Sequence, residues 1–290
     1  MGEIPTKDLE RNSMTLREAY EYGREQLNLA GVDDADLDAW YLLEFVTGVS
    51  RTMYYLRMQE TVSWEQENLY RKCIETRALH IPLQHITGVQ EFMGLEFCVN
   101  KHVLVPRQDT EVLVESVLEV LKPEMKLLDM CTGSGCILIS LLKLGKVKCG
   151  AGVDVSENAL PVAKKNCEKH GVKAELIESD LFENVSGCYD VIVSNPPYIR
   201  TAVIEELKEE VKVHDPFIAL DGKEDGLYFY REIVKKSSEY LNDGGRLFFE
   251  IGHDQGEAVK DLMVRAGFTE VTIKKDLAGL DRVVFGKYNY

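Results

Sequence analysis

Apolar positions along this chain follow a helical period up to about residue 82 and a mixed strand and helix pattern beyond it. Leu16, Ala19, Tyr20, Gly23 and Leu27 share one face of a predicted helix. Thr15-Leu16-Arg17-Glu18 opens it as a capping box, and Gly31 ends it. A second helix starts near Asp33 or Asp34, carries Leu37, Trp40, Tyr41 and Leu43, and stops at Gly48. Ser63-Trp64-Glu65-Gln66 opens another that runs to Leu79, before Pro82. Together these predict a small helical bundle over 1–83. Over 84–105, Gly88 and Gly94 punctuate alternating segments such as Leu95-Glu96-Phe97-Cys98-Val99, which predicts a β-hairpin bridging the two parts.

From Pro106 onward the two periods alternate. Strands are predicted over 126–130, 148–153, 174–178, 189–194, 246–251, 271–275 and 282–286. Helices are predicted over 110–121, 136–144, 157–170, 226–240 and 255–266, with a polar helix-like stretch through Val213. Asp243-Gly244-Gly245 reads as a turn into the strand at 246. Seven strands separated by helices predict an α/β fold with a doubly wound sheet over 106–290.

Composition narrows the partners. The 290 residues carry 49 acidic and 34 basic side chains, a net charge of -15, and no basic run that would give an electrostatic footprint for duplex nucleic acid. A protein or small-molecule partner is expected instead. Seven cysteines (73, 98, 131, 136, 149, 167 and 188) form no C-x-x-C pair and no zinc-ligand spacing, so no metal site is expected. Cys131, Cys136 and Cys149 lie in or beside apolar segments, as small hydrophobes do. An odd count without a disulfide framework, no apolar signal core in Met1-Gly2-Glu3-Ile4-Pro5-Thr6-Lys7-Asp8 and no membrane-length apolar run point to the cytoplasm, away from membranes.

The candidate chemistry gathers at strand ends. Tyr189-Asp190-Val191-Ile192-Val193-Ser194 reads as a buried parallel strand, and Asn195-Pro196-Pro197-Tyr198 follows it directly. Two prolines stiffen that turn, and the carboxyl end of such a strand is where α/β sheets bind ligands. An amide, exposed carbonyls and an aromatic ring suit a planar NH2 group, though the same residues also make a plain strand-ending turn. Leu127-Leu128-Asp129-Met130 leads into Cys131-Thr132-Gly133-Ser134-Gly135, a glycine loop before a helix. The complete G-x-G-x-x-G and the G-K-[ST] ending are both absent, which disfavours a pyrophosphate ligand. Asp154 ends the next strand, where a carboxylate accepts ribose hydroxyls or caps the following helix. Asp180 ends the third strand, with Leu181 and Phe182 as either a wall for a base or core. The combination fits a nucleoside bearing an exocyclic amine, and S-adenosylmethionine in particular.

On these residues and their flanks the sequence resembles the HemK-type protein-(glutamine-N5) methyltransferases, which modify peptide chain release factors. The matching landmarks are Pro82-Leu83-Gln84-His85-Ile86-Thr87-Gly88, Glu91-Phe92-Met93-Gly94-Leu95, Val105-Pro106-Arg107-Gln108-Asp109-Thr110-Glu111, Asp154-Val155-Ser156, His214-Asp215-Pro216 with Ala219-Leu220, and Gly244-Gly245-Arg246-Leu247 leading to Glu250-Ile251-Gly252. The resemblance covers nearly the whole chain. It implies a Rossmann-like methyltransferase sheet, cofactor contacts from Cys131, Thr132, Gly133, Ser134, Gly135, Asp154, Asp180, Leu181 and Asn195, and S-adenosylhomocysteine as product. Asn195, Pro196, Pro197 and Tyr198 would hold a glutamine-bearing loop of the release factor, the bundle recognising the rest of that protein. Catalysis would fall to Asn195, Pro196 and Tyr198: the Asn195 oxygen and Pro196 carbonyl accept the two N–H groups, and Tyr198 stacks on the amide. Cys131 departs from a first glycine usual in the family, and Leu181 from an aromatic or large residue. His214 beside Asp215 is expected to shape a loop rather than act as a catalytic pair. Arg107, Asp109 and Glu111 orient the hairpin, line the pocket or pair at a helix start. The acidic stretch 205–210 reads as a solvated face. An adenine-N6 DNA methyltransferase shares the Asn-Pro-Pro-Tyr turn but would need a basic cleft. The residues also admit a non-catalytic cofactor-binding scaffold and, more remotely, a nicotinamide oxidoreductase.

Overall fold

A computed structural model describes residues 13–290. The N-terminal stretch Met1 to Asp8, where no signal core is expected, lies outside the described residues. The chain divides into two compact units, Met1–Thr87 and Gly88–Tyr290.

In the first unit the helices are Leu16–Leu29, Ala35–Thr47, Arg51–Arg57, Trp64–Arg77 and Leu83–Thr87. The expected capping box of Thr15 with Glu18 forms, Ser63 opens its helix as a second one with Gln66, and Gly48 ends its helix in the left-handed conformation. Arg51–Arg57 and Leu83–Thr87 have no counterpart in the sequence pattern; at seven and five residues they are too short to display a hydrophobic period. The aromatic rings of Trp40, Tyr54 and Tyr20 meet edge to face around a core that includes Leu27, Leu42 and Ile74. Gly23 is required there: a Cβ would sit 2.0 Å from the Tyr70 hydroxyl, which donates to the Ala39 carbonyl.

The second unit opens with the antiparallel hairpin β1 (Val89–Phe92) and β2 (Leu95–Cys98), whose Phe92 and Phe97 are buried in this unit's core. The strands that follow are β3 (Lys126–Met130), β4 (Cys149–Asp154), β5 (Glu175–Glu178), β6 (Tyr189–Ser194), β7 (Leu241–Glu250), β8 (Thr269–Lys275) and β9 (Asp281–Lys287). They form one sheet in the order β5-β4-β3-β6-β7-β9-β8. The first five are parallel, and β9 runs antiparallel between β7 and β8. Successive residues of the central strands feed opposite faces. Leu128, Met130 and Ile192 pack with Tyr230 and Ile233, whereas Leu127, Val191 and Val193 pack with Leu138 and Leu141. Both faces are therefore covered, which explains the continuous apolar runs. Because β3 lies between β4 and β6, the chain leaves it toward one edge and later returns to its other side. The loops after β3 and β6 diverge at that point and open a crevice.

Three expectations change. Asp243-Gly244-Gly245 is not a turn before the strand; it lies inside β7, where the β6–β7 register shifts between Tyr189 and Val191 and Gly244 takes φ 76°. A bulge and a turn use the same residue types, so the sequence pattern does not separate them. The polar stretch before residue 213 breaks into the short helices Thr201–Ile204 and Glu209–His214, followed by Phe217–Leu220. Cys149, expected in apolar surroundings, is exposed at the start of β4.

Candidate active site

β3 delivers the chain at Met130 into a loop that must reverse before helix Cys136–Leu144. Three of its residues are left-handed: Cys131 at φ 64°, Gly133 at 54° and Gly135 at 78°. At Gly135 a Cβ would also press against Ala163, so glycine there allows the loop and the neighbouring helix to close together. Asp129, fully buried beneath the loop, accepts the Thr132 hydroxyl at 2.6 Å and the Leu138 N–H at 3.2 Å. Burial nevertheless pushes its carboxyl up to about 7.

Asp154, at the end of β4, accepts the Gly133 N–H at 2.8 Å and the Ser156 N–H at 2.9 Å. Burial raises its carboxyl and these backbone donors lower it. The Ser156 hydroxyl, rather than Asp154, receives the Ala159 N–H at the next turn, while Asp154 ties the end of β4 to the glycine loop after β3. Asp180 is exposed after β5, and Leu181 follows it with φ 49°. Phe182 belongs to the core, stacked on Tyr240 at 4.5 Å.

These strand ends surround a cavity that is partly open to solvent. Cys131, Thr132, Gly133, Ser134, Asp154, Asp180, Leu181, Asn195 and Pro197 line it; Gly135, Pro196 and Tyr198 are outside its wall. Lining residues not singled out from the sequence are Val103 and Leu104 after the hairpin, Thr110, Phe229, and the rim Pro216, Ile218 and Ala219. Part of this set sits in or beside the landmarks at 105–111 and 214–220, whose pattern is visible in the sequence while its chemistry is not.

The turn after β6 is held from several sides. Ser194 Oγ donates to the Met130 carbonyl at 2.8 Å, and Asn195 Nδ2 donates to Thr110 Oγ1 at 3.4 Å. The Tyr198 carbonyl accepts Gln255 Nε2 at 3.0 Å, and Cβ atoms at Gly222 or Gly226 would fall 2.7 and 2.4 Å from Tyr198 backbone atoms. Tyr198 does not present its ring to the cavity. It packs against the sheet core and donates its hydroxyl to Glu250 Oε1 at 3.4 Å. Glu250, at the end of β7, is buried, and desolvation pushes its carboxyl up to about 7. It stands in the landmark Glu250-Ile251-Gly252, but the sequence gives it no chemical role.

The remaining charged candidates make ion pairs. Arg107, on the cavity wall, bonds the buried Asp215 at 2.6 Å, so Asp215 anchors the loop beside His214. Asp109 pairs with Arg282 at 3.1 Å, and Glu111 accepts the N–H of Met93 in the hairpin turn at 2.6 Å.

The family described as PrmC N-terminal domain matches residues 18–88, and that described as Methyltransferase small domain matches 107–222. A release factor glutamine methyltransferase of Geobacter sulfurreducens is 41% identical over 274 residues, spanning 94% of this chain and 96% of that protein. One of Caulobacter vibrioides is 40% identical over 282 residues, spanning 96% of this chain and 98% of its own. The crystal structure of a methyltransferase from Pyrococcus furiosus shares the fold, with a TM-score of 0.54 at 17% identity over 74% of this chain and 98% of that one. At two-fifths identity along nearly its whole length, the chain belongs to the release factor glutamine methyltransferase family.

Proposed function

We propose that this protein transfers a methyl group from S-adenosylmethionine to the side-chain amide nitrogen (N5) of a glutamine in a peptide chain release factor. The observation that carries the reading is the meeting of the glycine loop, Asp154, Asp180 and Asn195 on one cavity wall, in a chain of this family. The donor set suits the cofactor. Carboxylates at successive strand ends fit hydroxyls and an amine, the apolar side chains Val103, Leu104 and Leu181 fit a base, and the loop lacks a phosphate signature. Asp154 keeps lone pairs beyond its two backbone bonds with which to accept ribose hydroxyls.

When bound, S-adenosylmethionine supplies a methyl group made electrophilic by its sulfonium. A glutamine amide nitrogen is a weak nucleophile because its lone pair is delocalised into the carbonyl. Asn195 Oδ1 accepts one of its N–H groups and the Pro196 carbonyl the other, turning the lone pair toward the methyl. The nitrogen would gain a bond to the methyl carbon as the carbon–sulfur bond breaks and S-adenosylhomocysteine leaves; the nitrogen, now acidic, would then lose its proton to solvent, so no strong base is needed beforehand. Orientation of this kind contributes up to about 7–11 kcal/mol in favourable systems. Tyr198 supports the turn through Glu250 and Gln255, and stacking on the amide would require its ring to swing out. The helical bundle grips the release factor outside its glutamine loop.

The test is methyl transfer from labelled S-adenosylmethionine to purified release factor, with duplex DNA as the competing acceptor. Asn195→Ala should retain cofactor affinity within a few-fold and lose kcat by about 100-fold or more. Near-normal kcat in that variant, or transfer to DNA but not to the factor, would overturn the reading.

A further inference from the structure

We infer that Glu250 and Thr110 form a relay that fixes which end of the Asn195 amide faces the substrate; this rests on the function proposed above. An asparagine amide can present oxygen or NH2 after a half rotation, at little steric cost. If the NH2 faced the glutamine, donor would meet donor and the substrate would not be held. The choice is set behind the turn. Asn195 lines the cavity, and its Nδ2 lies 3.4 Å from Thr110 Oγ1. Thr110 is buried, and its hydroxyl lies near enough to favour the charged form of the Glu250 carboxylate. Tyr198 donates to Glu250 Oε1, while Glu250 Oε2 is buried with no hydrogen-bond partner among the described residues, which leaves an acceptor open behind the turn.

An ionised carboxylate only accepts. It therefore draws the Thr110 hydroxyl proton toward itself, leaving the Thr110 lone pairs to receive Asn195 Nδ2. Oδ1 is then turned to the cavity as an acceptor. Neither residue needs to touch the reacting atoms: both are positioning residues, supplied by an element outside the turn they serve. The charged and titratable groups facing Glu250 include Tyr198 on the turn, Arg282 on β9, Asp109 before the helix Glu111–Leu118, Tyr230 on the helix Tyr228–Ser237 and Cys136 at the start of the helix Cys136–Leu144.

Thr110→Val keeps the side chain's shape and removes both donor and acceptor. It should lower kcat by about 10- to 100-fold, with the S-adenosylmethionine dissociation constant and the melting temperature close to wild type. Thr110→Ser restores the hydroxyl and should recover kcat to within a few-fold. A Thr110→Val enzyme with kcat within twofold of wild type overturns the inference, as does a folded, cofactor-binding Thr110→Ser enzyme that remains as slow as the valine variant. Should the valine variant not fold, NMR of the wild type decides. The Asn195 side-chain amide resonances should move with the Glu250 titration near pH 7, and resonances that ignore that titration overturn the relay. Wild-type protein that binds S-adenosylmethionine yet methylates no release factor would sink the functional proposal instead. The amide resonances can still report on the relay in that case.

Discussion

Cys131 shows how one residue can depart from a family pattern without leaving the fold. Its backbone is left-handed at φ 64°, the region that favours glycine, and a non-glycine residue there costs about 1–2 kcal/mol. The side chain packs against the sheet core while also touching the cavity, and burial raises the thiol pKa, so it is not a ready nucleophile. Glu250 and Asp129 are further costs accepted beside the site. Each carboxyl is raised to about 7 by desolvation, so the folded state holds these protons more tightly than the unfolded chain does. The sign follows: their stabilising contribution is complete below pH about 4 and is lost as pH rises through about 7. Glu250→Gln removes one of these penalties. Its stability relative to wild type should therefore increase from pH 5 to pH 8, by on the order of 2–3 kcal/mol at most. Denaturant unfolding at both pH values measures the gap, and a gap that does not grow contradicts the assigned titration.

Among the elements, the hairpin depends on a side chain far from it in sequence. Met93 takes φ 53° in the turn between β1 and β2, and its N–H is received by Glu111 at the first turn of helix Glu111–Leu118. Glu111→Ala should lower the unfolding free energy by about 1.5–3 kcal/mol, the range for a hydrogen bond to a charged group. Urea denaturation would show it, and Glu111→Gln, which keeps an acceptor, should lose less; equal losses would mean that the bond to Met93 is not the cause. This contact also marks the limit of what is legible in the sequence. Lys126–Met130, Cys136–Leu144 and Tyr189–Ser194 fall where the pattern puts them, because long apolar runs bounded by glycine or proline have one reading. The wall from Cys131 to Ser134, with Asp154, Asp180 and Asn195, is legible for a related reason: each follows directly from a strand end. Thr110 and Glu250 are not, since their importance arises only when β6, β7 and the start of a distant helix are brought side by side. The ring of Tyr198 suits an amide, which places it against the substrate on sequence grounds, but the core packing and Glu250 hold it elsewhere.

For the whole molecule, the remaining question is how a macromolecular substrate is held while one glutamine enters a small cavity. A net charge of -15 disfavours a polyphosphate backbone as partner. In the bundle, helix Ala35–Thr47 buries Ala39, Leu42 and Leu43 on one face. It leaves Leu37, Tyr41 and Phe45 at 42%, 46% and 48% exposure, four residues apart along another. An exposed apolar stripe with two aromatic rings is what a protein contact uses, since aromatic residues that become interface hot spots cost about 2 kcal/mol or more when truncated. Replacing all three with glutamine should raise KM for intact release factor by about tenfold or more, while cofactor affinity and melting temperature stay near wild type. Methylation of a short peptide carrying only that glutamine should stay near wild type. That contrast separates docking from chemistry: equal losses on peptide and intact factor would place the defect in the active site, and no loss on either would remove this face from the recognition surface.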